Sequence, residues 1–368
     1  MTAVPFGDLK AHVSALRPEI DAAVARVLDS GWFILGPEGE AFERELAASL
    51  QARHAVAVAN GTEAIQLALE ALGIGSGDEV VTSPMTAAFT ALAVQRAGAR
   101  PVFADVDPDT LNLSPEGVAR VLSARTKAVL PVHLYGHPAD LGPLVEIARA
   151  RGIAVVEDAC QAHGARYAGR PVGALCEVGA LSFYPTKNLG ALGDGGAVLT
   201  NDPELAARVR RLRNGGQSDR YRHETVGLNS RLDELQAAVL RVKLRHLADW
   251  TERRRALAGL YGRELAGTEL VLPGEKPYGR AVHHLFVVRH ARRDALMAGL
   301  RERGVGTLIH YPIPLHLQPA FAALGGRPGD HPVAERAARE VLSLPLYPEM
   351  TDAQVRAVAS AVRDVLRP

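Results

Sequence analysis

The sequence predicts an α/β protein, with a large domain built on a mostly parallel sheet over residues 1–245 and a smaller α/β domain over 246–368. Three observations predict it. Short apolar runs alternate with helical stretches from Ala55 to Thr200. A long helical pattern, Arg231–Tyr261, comes next. One more apolar run and two helical stretches complete the chain. Strands alternating with helices imply a parallel sheet covered on both faces.

The elements follow in order. AVAVA (55–59) reads as a strand and Thr62–Leu72 as a helix, with Ile65, Leu69 and Leu72 at i, i+4 and i+7. EVVTS (79–83), PVFADV (101–106), KAVLPVHL (127–134) and IAVVED (153–158) read as further strands. Thr86–Ala97 and Pro143–Ala150 are the intervening helices. ALSFYPT (180–186), a Gly-rich turn and GGAVLT (195–200) add two strands. Leu235, Val239, Val242, Leu247 and Trp250 give the long segment its helical spacing. VHHLFVVR (282–289) is a strand, and Arg292–Arg303 and Thr351–Leu366 are helices. The domain boundary falls near residue 245.

Composition narrows the function class. Of the 368 residues, 47% are hydrophobic and 23% charged, as in an ordinary folded enzyme and unlike a disordered chain, fibre or coiled coil. The 42 basic and 41 acidic residues nearly cancel, so no nucleic-acid or membrane-surface partner is expected. No stretch approaches the roughly 18 uninterrupted apolar residues of a membrane span. The first residues lack the apolar run of a signal peptide. Two cysteines, Cys160 and Cys176, are too few for a disulfide framework or a zinc site. The expectation is a cytoplasmic protein without a metal.

Three motifs carry chemistry. Asn60-Gly61-Thr62 joins a strand to a helix. Gly61 lets backbone approach a ligand closely, and the helix N-terminus suits a phosphate. The plain alternative is that Thr62 is an N-cap. In the second, Glu157-Asp158-Ala159-Cys160-Gln161, the strand ends in a carboxylate at the sheet edge where open α/β folds bind ligands. Asp158 suits a general base, a partner for a protonated ring nitrogen or a plain helix cap, and these readings stand; a metal ligand is disfavoured because no clustered His/Asp/Glu spacing accompanies it. The third is SFYPTKN (182–188), followed by LGALGDGG. The chain has five lysines, at 10, 127, 187, 243 and 276. Lys187 alone sits at a strand end amid Ser, Tyr, Thr and Gly. A lysine there can be desolvated, lose its proton and form a Schiff base. Together a phosphate cup, an acid for a ring nitrogen and a Schiff-base lysine describe the protein half of a pyridoxal-phosphate site.

NGTEAIQLAL, VVEDACQAHGA, SFYPTKNLGALGDGGAVLTN, GLNSRLDELQAAVL and IHYPIPLHLQP, in that order, resemble the DegT-type nucleotide-sugar aminotransferases. The resemblance runs from about Val4 to Leu366. It implies the aspartate-aminotransferase-like fold type I and pyridoxal 5'-phosphate as cofactor, with pyridoxamine 5'-phosphate as its intermediate form. By similarity, Lys187 binds the cofactor as a Schiff base, Asp158 pairs with its ring nitrogen and Gln161 sits near its phenolic oxygen. Gly61, Thr62 and Ser182 hold its phosphate. Asn229 reaches the phosphate from a neighbouring subunit, which implies a homodimer with shared sites. The family's aromatic after the threonine of P-x-T is here Ala87, so either Phe89 stacks on the ring or Phe89 is helix core.

The resemblance also implies substrate contacts. Trp32 and Phe33 line the sugar site, and Tyr184 faces the sugar or cofactor. Arg213, Arg220, Tyr221, Arg222 and His223 face the nucleotide diphosphate; arginine suits phosphate through its fork of donors. His310, Tyr311 and His316 close over the sugar. The implied reaction transfers an amino group from L-glutamate to C3 of a dTDP-linked 3-keto-6-deoxyhexose in deoxyaminosugar biosynthesis. A 4-keto sugar, a UDP-3-keto sugar and a cyclitol are the competing acceptors. Two other classes share the fold: sugar dehydratases, which replace the lysine with histidine, and non-catalytic regulators. Retention of Lys187, Asp158, Thr62 and Ser182 speaks against both.

Overall fold

The computed structural model describes residues 3–367. Seven strands form the central sheet: β1 (His54–Val58), β2 (Glu79–Thr82), β3 (Arg100–Phe103), β4 (Thr126–Leu130), β5 (Ala154–Asp158), β6 (Val178–Ser182) and β7 (Gly196–Thr200). Their spatial order is β1-β7-β6-β5-β4-β2-β3. All neighbours are parallel except β7, which runs antiparallel to β1 and β6, with Val198 opposite Val56 and Ala180.

The strands are apolar along their length because both faces are covered, as crossover connections require. The thirteen helices described are α1 (Leu9–Ala15), α2 (Arg17–Ser30), α3 (Pro37–Ser49), α4 (Gly61–Ala71), α5 (Ala88–Arg96), α6 (Pro115–Val121), α7 (Leu141–Arg151), α8 (Pro203–Leu212), α9 (Glu234–Leu244), α10 (Leu247–Glu264), α11 (Arg293–Glu302), α12 (Pro332–Glu340) and α13 (Asp352–Leu366). Ile65, Leu67 and Leu69 of α4 and Val209 of α8 pack on one face of the sheet against Val56, Val156 and Val198. Phe42 and Leu46 of α3 and Leu240 of α9 cover the other, with Leu181 and Phe183. Phe42 meets Phe183 edge-on at 5.3 Å. Each such buried Leu or Phe contributes about 1.5–3 kcal/mol of transfer free energy.

The C-terminal part has its own core. Strands β8 (Phe286–Arg289) and β9 (Val341–Leu344) pair antiparallel. Leu257 and Tyr261 of α10, Leu296 of α11 and Val358 of α13 close over them. A reciprocal capping box between Thr351 and Gln354 starts α13. The N-terminal segment crosses to this part: Val4 bridges Val305 and joins its core. Gly279–Arg280 pairs back onto Arg166–Tyr167 of the large part.

Several segments differ from expectation. The long helix of 231–261 is two helices, broken at Arg245 and His246. Its halves serve different cores: Ala238, Val239 and Val242 face α2, while Leu257 and Tyr261 face the C-terminal core. The strand expected over 127–134 stops at Leu130, because Pro131 has no N–H for the ladder. The strand expected over 101–106 ends at Phe103, and that over 180–186 ends at Ser182, where the chain turns into the lysine loop. The strand expected from Val282 begins at Phe286, after His283 adopts a positive φ of 45°.

Candidate active site

The site lies at the carboxyl edge of the parallel strands. Asp158 ends β5 and is buried. Its Oδ2 accepts from the Thr90 hydroxyl at 2.8 Å, and its Oδ1 from the Cys160 N–H at 3.1 Å. Both oxygens are thereby held in place. Glu157 accepts from Gly173, Leu175 and Cys176 N–H groups at 2.7–2.9 Å. Two adjacent acids thus divide the work by strand alternation: Glu157 anchors a loop, and Asp158 lines a cavity.

The β1–α4 connection supplies the second wall. The Asn60 side chain caps α4 through the Glu63 N–H at 2.9 Å. The cap is therefore Asn60, and Thr62 lies inside the helix. Among the described residues the Gly61 and Thr62 N–H groups have no acceptor, and both residues line the cavity. A Cβ on Gly61 would come within 2.6 Å of Ser182 Cβ and 2.9 Å of Cys160 Sγ. Glycine is needed there for the helix end to reach β6.

Lys187 sits on the loop between β6 and β7. Phe183 N–H donates to Gly195 at 2.7 Å, Ala191 N–H to Phe183 at 2.7 Å, and Lys187 N–H to Tyr184 at 2.8 Å. A Cβ on Gly190 would lie 2.3 Å from the Pro185 carbonyl, so the loop closes on itself only with glycine. Burial lowers the Lys187 pKa below its ordinary value. A second lysine supports this loop, which sequence elimination overlooked. Lys243 of α9 is buried, donates to the Gly190 carbonyl at 2.7 Å, and burial pushes its pKa down to about 8. A lysine among arginines on a helix gives no signal of that.

Gln161 bridges two parts of the site. Its Oε1 accepts from Tyr135 N–H at 2.8 Å and its Nε2 donates to the Tyr311 hydroxyl at 3.0 Å. Burial raises the Tyr311 phenol to about 12. Tyr135 in turn donates to the His310 carbonyl. His163 is 1% exposed, among the described residues both its ring nitrogens are unpartnered, and burial lowers it to about 3.

Gly61, Thr62, Phe89, Asp158, Gln161, Ser182, Tyr184, Lys187 and Tyr311 all line one cavity of about 720 Å³. Ala87 lines it too, with Phe89 two residues further along the chain and 62% exposed. Phe89 is therefore not helix core in this chain. Thr90, missing from the sequence reading, belongs to the site through Asp158; its only sequence signal was a hydroxyl on the helix near Ala87.

Other expected residues lie elsewhere. Arg213 is not in the exposed loop: it caps α8, forms an ion pair with Glu43 and donates to the Ala57 carbonyl at 2.7 Å. His316 is buried against Glu335 at 3.1 Å, away from the cavity. His310 borders a second cavity and bonds Ser343 at 2.8 Å. Asn229 is exposed and bridges Asn214. Trp32 and Phe33 are exposed, their turn held by three N–H donations from Gly36, Glu38 and Gly39 to the buried Glu234 carboxylate at 2.8–2.9 Å. Arg220, Tyr221, Arg222 and His223 form an exposed hairpin, with the Arg220 guanidinium 5.2 Å from the Tyr221 ring centre.

These features fit pyridoxal phosphate. The free N–H groups at the start of α4 and the Ser182 hydroxyl match a phosphate. The fixed Asp158 carboxylate matches a protonated ring nitrogen. A lysine with a lowered pKa matches the aldehyde.

The model of the DegT/DnrJ/EryC1/StrS aminotransferase family matches residues 14–363. A Streptomyces venezuelae protein named dTDP-3-amino-3,4,6-trideoxy-alpha-D-glucose transaminase is 54% identical, over 98% of this chain and 96% of that one. A Saccharopolyspora erythraea protein, named erythromycin biosynthesis sensory transduction protein EryC1, is also 54% identical, over 95% of each. The crystal structure of S. venezuelae DesV in complex with a ketimine intermediate superposes with a TM-score of 0.98 at 53% identity, covering all of both chains.

Proposed function

The chain belongs to the DegT/DnrJ/EryC1/StrS aminotransferase family, and from that premise we propose that it aminates C3 of a nucleotide-linked, dTDP-type 3-keto-6-deoxyhexose. It is a pyridoxal-phosphate-dependent aminotransferase. The observation that carries the reading is the meeting of Lys187, the Thr90-braced Asp158 and the open α4 N-terminus in one cavity. The relatives' names support a 3-amino-deoxyglucose product. L-Glutamate is the amino donor in this reading.

Pyridoxal phosphate supplies, when bound, an electrophilic carbon for the amine and a ring that withdraws electrons from the substrate carbon. The rest is the work of the chain. Lys187 would hold the cofactor's aldehyde carbon and, once released, would serve as the base that moves a proton from the donor carbon. Burial lowers its pKa, which raises the fraction able to accept that proton near neutral pH. Asp158 holds the proton on the ring nitrogen, and Thr90 and the Cys160 N–H fix the carboxylate for it. The α4 N-terminus, with Thr62 and Ser182, holds the phosphate. Gln161 holds Tyr311 over the cavity.

Asn229, Trp32, Phe33 and the Arg220–His223 hairpin complete the site of a second copy in this reading, so the working unit is a homodimer. Their exposure in one chain supports it: Tyr221 is 81% and Trp32 57% exposed. We place the enzyme in the cytoplasm. Two free cysteines support that.

The test is a panel of nucleotide ketosugars mixed with the pyridoxamine-loaded enzyme, watching the visible absorbance of the lysine-bound cofactor return. Product NMR then locates the new amine. Amination at C4, or preference for a free ketocyclitol, would overturn the choice of acceptor.

A further inference from the structure

Glu234, at the start of α9, is a carboxylate with 1% exposure. Among the described residues no lysine, arginine or histidine pairs with it; its partners are backbone. Oε1 accepts from the Gly36 and Gly39 N–H groups at 2.9 Å each, and Oε2 from the Glu38 N–H at 2.8 Å. These are the cap and first-turn donors of α3, and the one residue between them, Pro37, has no N–H to satisfy. A negative charge at a helix N-terminus also meets the favourable end of the helix dipole. Glycine leaves room for the carboxylate at both ends: a Cβ on Gly36 would fall 2.8 Å from Oε2, and one on Gly39 2.7 Å from Oε1.

A cap this complete does more than start a helix. It fixes the turn over 31–36 that leads into α3. The Glu234 N–H donates to the Phe33 carbonyl at 2.9 Å, and Ile34 bridges Asp233. Trp32 Nε1 donates to the Ile34 carbonyl at 2.8 Å, and Leu35 holds a positive φ of 52°. The turn presents two large aromatic side chains to the outside. Trp32 and Phe33 are exposed, and neither lines the cofactor cavity of its own chain. Adjacent exposed aromatics on a fixed backbone suit a contact beyond the chain. The same helix braces the lysine loop: Gln236 Oε1 accepts from the Leu192 N–H at 2.8 Å, and Lys243 donates to the Gly190 carbonyl at 2.7 Å. One rod, α9, therefore carries both the loop that serves this chain's own site and the turn that points away from it.

We propose that Glu234 is a positioning residue for the ketosugar bound in the neighbouring copy's site: by capping α3 it sets the Trp32–Phe33 turn where the two aromatic side chains pack against that sugar. The proposal rests on the homodimer with shared sites read above and deepens it. A sugar ring presents C–H groups to an aromatic face, so a turn that shifts or loosens weakens the acceptor. Rigidity fixed before binding spares the ordering cost that a loose turn would incur. The amino donor has no ring for these side chains to hold. The lesion of a Glu234 variant thus falls on one substrate, and in the site of the other chain.

The experiment separates the substrates and then the chains. In Glu234→Ala the Michaelis constant for the nucleotide ketosugar should rise about tenfold or more, as for the loss of a hydrogen bond to a charged group, while the half-reaction with L-glutamate keeps its wild-type rate. Glu234→Gln keeps an acceptor for Gly36 and Gly39 but sets an NH2 against the Glu38 N–H, so its constant should lie between. Gly39→Ala pushes on Oε1 from the other side, leaves Glu234 in place and favours the helix, so it should raise the same constant in a folded protein. The deciding measurement mixes Glu234→Ala with Lys187→Ala chains as heterodimers. One site then carries both lesions and the other neither, so the constant should return to the wild-type value. A merely structural lesion stays with its own chain. The site that retains Lys187 would then keep the raised constant, and that result overturns the assignment, as does equal slowing of both half-reactions in Glu234→Gln and Gly39→Ala. The Asn229→Ala and Lys187→Ala pair reports on the shared site separately. If that pair regains activity while the Glu234 pair keeps the raised constant, the role of Glu234 alone fails; a fully active monomer removes the shared site and this role with it.

Discussion

Replacing Asp158 with Asn tests the electrostatic core of the site, because the geometry dictates how the amide must sit. Asp158 accepts two hydrogen bonds from fixed neighbours, the Cys160 N–H at 3.1 Å and the Thr90 hydroxyl at 2.8 Å. The Cys160 N–H can only donate, so the amide oxygen must face it. The amide NH2 then takes the place of Oδ2. Thr90 can adapt by accepting from it and turning its own proton toward Thr86, whose oxygen lies 3.4 Å away. The amide carries no negative charge to hold a proton on the ring nitrogen, and an NH2 in the former Oδ2 position would oppose that proton. Fold and cofactor binding should survive, since no other contact changes. Losing a preorganised partner of this kind costs about 2.7–4 kcal/mol, or roughly 10²–10³ in rate. Thr90→Val removes one charge-assisted hydrogen bond, about 1.5–3 kcal/mol at most, and should cost about tenfold. Since Thr90 acts through Asp158, the double variant should be no slower than Asp158→Asn alone. The assay is turnover per bound cofactor, with loading read from absorbance and folding from thermal melting. A rate within threefold of wild type in Asp158→Asn, or additive losses in the double variant, would refute the reasoning.

Lys187→Ala should lose the lysine-bound absorbance and essentially all turnover; an active variant would move the role elsewhere. The solution species should be a dimer or a multiple of it. Asn229→Ala and Lys187→Ala chains, each poor alone, should regain activity when mixed as heterodimers, and a fully active monomer in sedimentation would defeat this. Arg220→Ala or Arg222→Ala should raise the Michaelis constant for the nucleotide sugar tenfold or more and leave that for glutamate alone. Arg213→Ala should instead lower the melting temperature, because its partners are Glu43 and the Ala57 carbonyl. For Lys243, the folded pKa of about 8 lies below the unfolded value near 10.4, so the unfolded state binds more protons between those pH values. Stability relative to Lys243→Met should therefore rise from pH 8 to pH 10 in denaturant titrations; a constant difference would refute the burial of that amine.

What the sequence disclosed and what it hid follow from the range of the interactions. The strands and the strand-end placement of Asp158 and Ser182 were legible because apolar runs and their terminators are local. The break at Arg245 was not, since a helical period says nothing about which core each half serves. Thr90 and Lys243 escaped notice because their partners, Asp158 and Gly190, are far along the chain. Arg213 looked like part of a basic loop only because the end of α8 adjoins that loop in sequence. His316 sat in a promising motif, but its partner Glu335 lies on another helix.

One relative bears a name drawn from sensory transduction, so the contrast between catalyst and regulator merits a physical argument. A regulator that had abandoned the cofactor would gain nothing from the costs this cavity carries. Lys187 is kept where desolvation depresses its pKa, and the Asp158 side chain is kept buried. The Gly61 and Thr62 N–H groups stay open in a cavity of about 720 Å³, and Gly190 keeps the lysine loop tight. Each is destabilising or neutral without a ligand, and each is satisfied by one phosphate-bearing aldehyde. The purified chain should therefore carry visible absorbance from lysine-bound pyridoxal phosphate. Borohydride should fix that cofactor on the peptide containing Lys187, and L-glutamate should bleach the colour within a turnover. A protein that stays colourless after incubation with pyridoxal phosphate would favour the regulator; one that is coloured but not bleached by any amino acid would be a cofactor binder without the transfer.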